Sequence, residues 1–300
     1  FGTEYEVCRL AKKLNVPVLL WGPRDECPDE NGMRLRDSQC GLFATGKVLR
    51  RFGIPFTYLK NCNLEDECFA EGIDRFLRVC NVVKAFRNTR VLQISTRPFD
   101  FWSTMCNEGE LLEKFGIQLS PIPMPELTQA MKDVKENSPE EIKEVTDYCR
   151  EKMCIKVTPE QLDNVAALKI AMTRLGKKYG CNCGAIQCWN ALQDEIGIMP
   201  CAANALCNDE GFPIACETDI HGTITSVLVE AAAMGETRSF FADWTVRHPY
   251  NDNAELLQHW SMANLHRQRK TNDRHTSCIR LFWFLNGTGK RRRTHFLSTF

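Results

Sequence analysis

The sequence has 300 residues, of which 38 are basic and 38 acidic, so its formal net charge at pH 7 is zero. This balance argues against a protein that coats nucleic acid, because such proteins carry a strong positive charge. No apolar run approaches the roughly 18–20 residues that cross a bilayer, so we expect no membrane-spanning segment. The hydrophobic fraction of 43% is that of an ordinary globular protein. The length of the chain is suited to one large domain or two ordinary ones.

Sixteen cysteines form an unusually large set, and their spacing bears on the redox environment of the chain. A disulfide framework is typical of short secreted chains, whereas this chain is long and shows no leader. Its first residue is not Met, so we expect a fragment of a longer protein. The tightest cluster (Cys181, Cys183 and Cys188) has no second pair at the spacing of a zinc site. We therefore expect free thiols in a reducing, cytoplasmic environment.

Four helix-like patterns in the first 125 residues each lead into a short apolar run. The predicted helix–strand pairs are Glu4–Leu14 with Val16–Trp21, Leu42–Phe52 with Pro55–Leu59, Glu67–Phe86 with Val91–Ser95, and Glu110–Phe115 with Ile117–Ile122. This alternation predicts an α/β fold, in which a Rossmann-like parallel sheet has flanking helices. No Gly-x-Gly-x-x-Gly motif follows any of the four runs, so no nucleotide cofactor is indicated.

Helical patterns dominate residues 125–180, where proline and glutamate after Ser138 and after Thr158 mark two helix starts. The second of these helices is predicted to end near Tyr179. The remaining predicted elements are strands at Cys183–Trp189, Phe212–Cys216 and Ser239–Val246, a small helix ending at Glu195, and an apolar helix at Ile220–Met234. We predict that Pro200–Asp209 is irregular.

The residues best suited to chemistry follow the strand predicted at Phe212–Cys216. Glu217, Asp219 and His221 alternate between this strand and an apolar helix, and ligands bind at such strand ends in open α/β sheets. A structural alternative stays open, because Thr218 or Asp219 would make an ordinary N-cap for the helix.

A second carboxylate and a histidine lie further along the chain. Asp243 follows two phenylalanines and an alanine in an apolar strand, where an unpaired carboxylate is costly to bury. His259 lies sixteen positions after Asp243, and neutral imidazole is a common metal ligand. Together with Glu217, these side chains are of the type that binds Mn²⁺ or Mg²⁺.

Several segments carry a resemblance to a known family. They are Glu217-x-Asp219-x-x-Gly222 with Phe241-Ala242-Asp243, the run Arg34–Gly41, the run Ala185–Trp189, and the run Asn253–His259. Over roughly residues 1–259, the sequence resembles the L-fucose isomerase / L-arabinose isomerase family, and in particular its fucose-isomerase-like sugar proteins. The resemblance implies a cytoplasmic aldose–ketose isomerase that depends on Mn²⁺ or another divalent cation. It also implies a sugar substrate, a homo-oligomer (hexamer or trimer), and neither a nucleic-acid nor a membrane partner.

The resemblance also implies roles for single residues. Glu217 and Asp243 would bind the metal and carry the proton between two carbons of the sugar. His259 would be a further metal ligand, and Gln187 and Trp189 would contact the sugar. These roles suit the chemistry, because moving a carbonyl from C1 to C2 needs a base, an acid and stabilisation of an enediolate.

Two neighbouring side chains have smaller implied roles. Asp219 matches an acidic position of the family, and we expect it to support a metal ligand rather than to bind the metal. His221 matches no ligand of the family, so no function is assigned to it. The run Arg34–Gly41 is expected to be structural.

The resemblance further implies a domain plan. Residues 1–235 would form a Rossmann-like middle domain, and residues 236–259 would start a β-rich C-terminal domain. The family's N-terminal domain and a distal ligand histidine would lie outside the chain, so we expect the chain alone to be inactive. A non-catalytic sugar-binding relative of the same fold remains an alternative, because fold alone does not separate the two.

Residues 260–300 differ in composition from the rest of the chain. They contain nine Lys or Arg residues and one acidic residue, Asp273. Family members continue with Cys-Gly-Pro after the position of His259, whereas this chain continues with Trp260-Ser261-Met262-Ala263. Loss of two bases from the codons TGT GGT CCA TGG CC produces that reading. We therefore predict an out-of-frame, poorly ordered tail rather than a nucleic-acid-binding arm.

Overall fold

A computed structural model of the chain describes residues 3–189, 191–258 and 278–279. Within these residues, the backbone divides into two compact units, the first ending at Ala85 and including Ala231–Met234, and the second comprising the described residues of Phe86–Glu230 and those from Gly235 onward. The domain plan implied by the resemblance, with one domain over residues 1–235, stays a prediction. The segment that contains the boundary is one continuous helix, Glu67–Arg87, so no turn signal or change of composition marks the division.

The first unit combines helices with a small parallel sheet. Its elements are α1 (Glu4–Leu14), β1 (Val18–Leu20), α2 (Ser38–Arg51), β2 (Phe56–Tyr58) and α3 (Glu67–Arg87, the last two residues of which fall in the second unit). Strands β1 and β2 run parallel with Val18 opposite Phe56, and α1 packs against α2. The helices and strands predicted for this part of the chain are confirmed, with ends that shift by a few residues.

The second unit contains the larger sheet. Its elements are β3 (Arg90–Ile94), a short 3-10 helix (Trp102–Thr104), α4 (Glu108–Phe115), β4 (Gln118–Ile122), α5 (Met124–Asn137), α6 (Pro139–Lys152), β5 (Cys154–Ile155), α7 (Pro159–Lys178), β6 (Cys183–Ile186), α8 (Ala191–Ile196), α9 (Cys201–Asp209), β7 (Ile214–Ala215), α10 (Ile220–Ala232), β8 (Asp243–Arg247), β9 (Glu255–Gln258) and β10 (Cys278–Ile279).

Four parallel strands form the centre of the second unit, in the order β4-β3-β6-β7. Alternate residues of β3 enter different cores, as expected for a strand covered on both faces. Leu92 and Ile94 join a core with α5, α6, α7 and α9, whereas Val91 joins a core with Leu111 of α4 and Ile224 of α10. The predicted mixed α/β fold, with a parallel sheet and flanking helices, is therefore confirmed.

Helix α7 contributes more buried residues to this core than any other described helix, and it has a well-defined start. The Thr158 hydroxyl accepts a hydrogen bond from the Gln161 backbone, and the Gln161 side chain accepts one from the Thr158 backbone. This reciprocal capping box satisfies two amide groups at the helix start. None of the helices in the described part of the chain is both long and apolar enough to cross a membrane.

The prediction that Pro200–Asp209 is irregular is wrong, because Cys201–Asp209 forms helix α9. Eight consecutive residues of this helix, Cys201–Asn208, are buried. The helix consequently lacks the polar face that makes a helical period visible in a sequence.

The end of the described chain contains short strand pairs. Strands β8 and β9 pair antiparallel, and the two-residue strands β5 and β10 pair in parallel. The predicted β-rich C-terminal domain and the Rossmann-like designation stay predictions. The predicted out-of-frame tail at 260–300 lies outside the described residues, apart from the backbone of Cys278–Ile279.

Candidate functional site

The carboxyl ends of the central strands meet at one edge of the sheet, because all four strands are parallel. From β3 the chain passes to β4 on one side, and it later returns to place β6 on the other side of β3. Such a reversal of strand order opens a crevice at the carboxyl edge, where α/β proteins bind ligands. Ser95 after β3, Gln187 after β6 and Glu217 after β7 all lie at this edge.

The turn after β7 places Glu217 by means of an uncommon backbone. Glu217 and Thr218 have φ angles of +55° and +53°, in the left-handed region that non-glycine residues rarely adopt. The turn is tied to neighbouring strands, since the Thr218 amide donates to the carbonyl of Ile186 at 3.0 Å and its hydroxyl to the carbonyl of Thr96 at 3.0 Å. Backbone strain of this kind persists only where surrounding contacts hold it.

The Glu217 carboxylate is held by the segment after β6. Its Oε1 accepts hydrogen bonds from the Trp189 indole Nε1 at 3.2 Å and from the Cys188 thiol at 3.3 Å. The Glu217 amide in turn donates to the Cys188 Sγ at 3.3 Å. Contacts to one oxygen and to the backbone together fix the direction in which this half-buried carboxylate points.

The two residues predicted to contact sugar lie beside Glu217. Gln187 Oε1 accepts a hydrogen bond of 2.7 Å from the Ser95 hydroxyl, and Ser95 itself has a left-handed φ of +66°. The Trp189 ring is 47% exposed, and its centroid lies 5.7 Å from that of Phe101. The structure therefore brings Trp189 into contact with Glu217 and places Gln187 against Ser95 at the same edge of the sheet.

A cavity of about 310 Å³ opens at the same edge. It is lined by Gln93, Thr96, Arg97, Thr104, Met105, Cys106, Glu108, Thr218 and Ile220. The Thr104 hydroxyl, which lines it, donates to the carbonyl of Glu217 at 3.4 Å, so the cavity adjoins the turn that carries the carboxylate. Its volume lies at the lower end of the roughly 300–1,000 Å³ of small-molecule pockets.

Asp219 has a structural role in the start of α10. Its Oδ1 accepts a hydrogen bond of 2.8 Å from the amide of Gly222, and its carbonyl accepts one from the amide of Thr223. The N-cap alternative is thus confirmed for Asp219, while support of a metal ligand stays a prediction. His221 is exposed on the first turn of α10.

The remaining predicted ligands are not brought into a described cluster with Glu217. Asp243 is exposed at the start of β8, where it pairs with Gln258. Phe241, two residues earlier, packs against the cysteines next to Glu217. His259 lies outside the described residues. The predicted approach of Asp243 and His259 to Glu217 therefore stays a prediction.

Three buried cysteines adjoin Glu217, and the sequence analysis did not single them out as a group. Cys188, Cys201 and Cys216 pack together with Met199 and Phe241. Hydrogen bonds with Cys188 and Cys201, followed by burial, raise the pKa of the Cys216 thiol well above its ordinary value. The three cysteines stand on separate elements at wide sequence spacing. The one usable signal was that Cys188 and Cys216 each lie at or near the end of a predicted strand.

The donor atoms near Glu217 do not by themselves match Mn²⁺. Within the described residues, the ligand atoms of Cys188, Cys216 and Glu217 lie within 4.8 Å of one another, and Asp243 is not part of this group. Mn²⁺ prefers carboxylate, carbonyl and water oxygens, whereas thiols suit softer cations. These three residues alone therefore do not form the oxygen-rich site expected for Mn²⁺.

The fold and site define a mixed α/β protein with a carboxylate at the carboxyl edge of a parallel sheet. Residues 1–87 match a family described as "Fucose/sulfoquinovose isomerase, N-terminal domain". The matching model describes an N-terminal domain, and the middle-domain assignment implied by the resemblance stays a prediction.

Curated relatives extend the similarity beyond residue 87. The chain is 24% identical over 225 residues to the sulfoquinovose isomerase of Alkalicoccus urumqiensis, which covers 74% of this chain and 49% of that protein. It is 26% identical over 220 residues to that of Priestia aryabhattai, covering 73% and 48%, and 25% identical over 228 residues to that of Clostridium sp. (strain MSTE9), covering 75% and 50%. The chain spans about half the length of these relatives. It is related to the fucose-isomerase-like sugar isomerases, and the resemblance drawn from its sequence is confirmed.

Proposed function

We propose that the whole protein is an aldose–ketose isomerase, an intramolecular oxidoreductase that moves a carbonyl between C1 and C2 of an open-chain sugar. The observation that carries the proposal is the Glu217 carboxylate, held at the carboxyl edge of the sheet between the switch in strand order and a cavity. The sulfoquinovose isomerases named above support it, because their sequences align with about three quarters of this chain at 24–26% identity.

Glu217 is the residue that we propose to move the proton. It takes the proton from C2 of the aldose, which leaves an enediolate, and returns it to C1 to give the ketose. One further proton passes from the hydroxyl on C2 to the oxygen on C1, so the sugar neither gains nor loses atoms. The hydrogen bonds from Trp189 and Cys188 hold one carboxylate oxygen, and this orientation favours proton transfer in a fixed direction.

Gln187 and Trp189 are the residues that we propose to contact the sugar. Ser95 occupies the Gln187 Oε1, so the amide nitrogen is the group of Gln187 that can donate to a sugar hydroxyl. The half-exposed indole ring of Trp189 provides an apolar face for the carbon side of a sugar ring.

A requirement for Mn²⁺ or another divalent cation belongs to the proposal. Such a cation would stabilise the negative charge of the enediolate. Glu217 is the carboxylate available in the described cluster, so Asp243 and His259 would have to complete the ligand set. Removal of divalent cations with a chelator, followed by return of Mn²⁺, tests this requirement by loss and recovery of activity.

Two groups of sugars are candidate substrates. The sequence resemblance favours L-fucose or L-arabinose, whereas the names of the similar proteins favour sulfoquinovose, a sulfonated aldose. The resemblance also leads us to propose a cytoplasmic homo-oligomer, which size-exclusion chromatography with light scattering would test.

The decisive experiment uses the whole protein with Mn²⁺ and a panel of L-fucose, L-arabinose, D-arabinose and sulfoquinovose. We expect a ketose from at least one sugar, and a loss of roughly 10³-fold or more in kcat for Glu217→Gln, which removes the proton carrier. A folded, metal-loaded protein that binds one of these aldoses without producing ketose would support the alternative of a non-catalytic sugar-binding relative.

A further inference from the structure

A sulfur-rich cluster beside Glu217 has the composition of a different kind of metal site. The Sγ atoms of Cys188 and Cys216 and a carboxylate oxygen of Glu217 lie within 4.8 Å of one another, and neither cysteine is more than 2% exposed. We propose that these three side chains bind a thiophilic divalent cation such as Zn²⁺, and that the bound cation blocks the carboxylate on which the proposed isomerase activity depends.

The spacing of the three ligand atoms suits a tetrahedral cation. Zinc binds sulfur at about 2.3 Å and carboxylate oxygen at about 2.0–2.2 Å, which places tetrahedral ligand atoms roughly 3.6–3.8 Å apart. The Cys188 Sγ and Glu217 Oε1 are 3.3 Å apart, so small side-chain rotations admit the cation. Turns after adjacent strands β6 and β7 carry all three ligands, which keeps the distance between them short.

A buried amide provides a second, independent indication of a ligand. Asn204 of α9 is 2% exposed, and its Nδ2 donates to the Cys216 Sγ at 3.2 Å. Its Oδ1 is buried and has no hydrogen-bond partner among the described residues. A buried oxygen without a partner is costly, and amide oxygens bind cations or the water molecules attached to them. Because its Nδ2 contacts Cys216, Asn204 adjoins the proposed site and is our candidate for a fourth contact.

The surroundings also favour a soft cation over a hard one. Cys201 and the thioether of Met199 pack against Cys188 and Cys216, so the cluster is lined by sulfur. Each coordinating cysteine binds as a thiolate and loses its proton as the cation binds, so two thiolates and the Glu217 carboxylate hold Zn²⁺ in a site with one net negative charge and no change of oxidation state. The site differs in both donor type and chemistry from the oxygen-rich site expected for Mn²⁺.

Cadmium binding to the purified full chain tests the proposal, because Cd²⁺ resembles Zn²⁺ and gives an ultraviolet sulfur-to-metal absorption band. Cd²⁺ is added in a competing chelator, so that only the tightest site fills. We expect one tight equivalent, which Cys188→Ser and Cys216→Ala each abolish and Glu217→Gln weakens by roughly tenfold or more.

Matched controls separate this cluster from the other thiols of the chain. Cys62 and Cys68 are a second close pair of cysteines, in the first unit. Cys68→Ser is expected to retain the tight equivalent, and so is Cys201→Ser, because Cys201 packs beside the three ligands without belonging to their group. Retention of the tight band in either Cys188→Ser or Cys216→Ala, or its loss in Cys68→Ser, would overturn the proposal. Circular dichroism of each variant establishes that it is folded.

The blocking effect rests on the proposed function and has a separate test. In the whole protein with Mn²⁺, we expect Zn²⁺ to inhibit ketose formation, and Cys216→Ala to lower this sensitivity by roughly tenfold or more. Equal Zn²⁺ sensitivity of the two proteins would overturn the blocking effect. If no sugar is isomerised at all, the proposed function fails while the cadmium result still decides whether the site exists.

Discussion

The indole N–H of Trp189 donates a hydrogen bond of 3.2 Å to the Glu217 carboxylate, from a residue that stands 28 positions earlier in the chain. The contact joins the turns after β6 and β7. An exposed aromatic residue thereby acts on the orientation of the carboxylate, and its ring is the one that we propose to contact the sugar.

Replacement of Trp189 by Phe tests this contact, because it keeps an aromatic ring and removes the donor. We expect kcat for ketose formation by the whole protein to fall by about tenfold, since a hydrogen bond to a charged group contributes on the order of 1.5 kcal/mol. Steady-state kinetics measures the change. KM should change less than kcat, because the ring that faces the sugar is retained.

Trp21→Phe is the matched control for that variant. The Trp21 indole also donates a hydrogen bond, to the carbonyl of Cys62 at 3.1 Å, but it belongs to the first unit. The kcat of the Trp21→Phe variant should equal that of the parent protein. Equal losses in both variants would mean that loss of an indole hydrogen bond lowers activity through stability rather than through Glu217.

Gly222 in α10 is a position where a side chain does not fit. A Cβ atom there would lie 2.5 Å from Cε2 of Phe241 and 2.7 Å from Oδ2 of Asp219, which caps the same helix. We expect Gly222→Ala to lower the free energy of unfolding by about 1–3 kcal/mol, because the ring or the cap has to move. Chemical denaturation followed by circular dichroism measures it.

Gly109→Ala serves as the comparison. Gly109 lies in α4, and the nearest atom to a Cβ added there is 3.6 Å away, an ordinary van der Waals distance. We expect this variant to raise the free energy of unfolding by about 0.4–1 kcal/mol through restriction of the unfolded chain. A Gly222→Ala protein as stable as Gly109→Ala would contradict the packing described at Phe241.

The capping box of α7 makes a measurable contribution to stability. Thr158→Ala removes the acceptor for the Gln161 amide and should lower the free energy of unfolding by about 1 kcal/mol. Thr158→Ser keeps the hydroxyl and should differ little from the parent protein. Denaturant midpoints of the three proteins test the expectation, which fails if serine and alanine have the same effect.

Glu126 links α5 to the end of α7, and the link depends on pH. Hydrogen bonds from Lys178 at 2.8 Å and from Tyr179 at 2.6 Å lower the pKa of the Glu126 carboxyl. A lowered pKa in the folded state means that the stabilisation is complete above the unfolded pKa and is lost as the pH falls through the folded pKa.

Glu126→Gln should therefore lower the free energy of unfolding at pH 7, by up to about 1 kcal/mol for a pair near the surface. The difference from the parent protein should shrink as the pH falls into the acid range, where the parent carboxyl is protonated. Denaturation curves of the two proteins at several pH values measure this difference. A difference independent of pH would contradict the assignment.

Much of the fold could be predicted from the sequence, because amphipathic helices and apolar strands have different periods. Helix α1 begins and ends at the predicted residues, Glu4 and Leu14. Helix α9 could not be predicted, since burial on all sides removes the polar face that reveals the period. The division after Ala85 could not be predicted either, because it falls within a continuous helix.

The candidate site was predictable where one segment carries the signal. Glu217 follows one predicted strand and Gln187 lies in the last part of another, and parallel strands bring their carboxyl ends to the same edge. The contacts made by Cys188 and Asn204 depend on how separate elements pack, which no local pattern contains. Asp219 could not be assigned from the sequence for a different reason, because its position suits both a helix cap and a metal site. Only its three-dimensional contacts identify it as the cap.

The two left-handed residues after β7 make the site sensitive to partial opening of the sheet. Strand β7 is only two residues long and lies at the edge of the order β4-β3-β6-β7. If it separates from β6, the Thr218 amide loses the carbonyl of Ile186, and Glu217 and Thr218 can relax to extended backbone, which releases roughly 1–3 kcal/mol of strain at each residue. Release of this strain favours the open form, so the carboxylate is displaced by local opening at a lower free energy than global unfolding requires. Amide hydrogen exchange at Thr218 would then be faster than in the central strand β3, and the lifetime of the site would be set by the edge of the sheet rather than by its core.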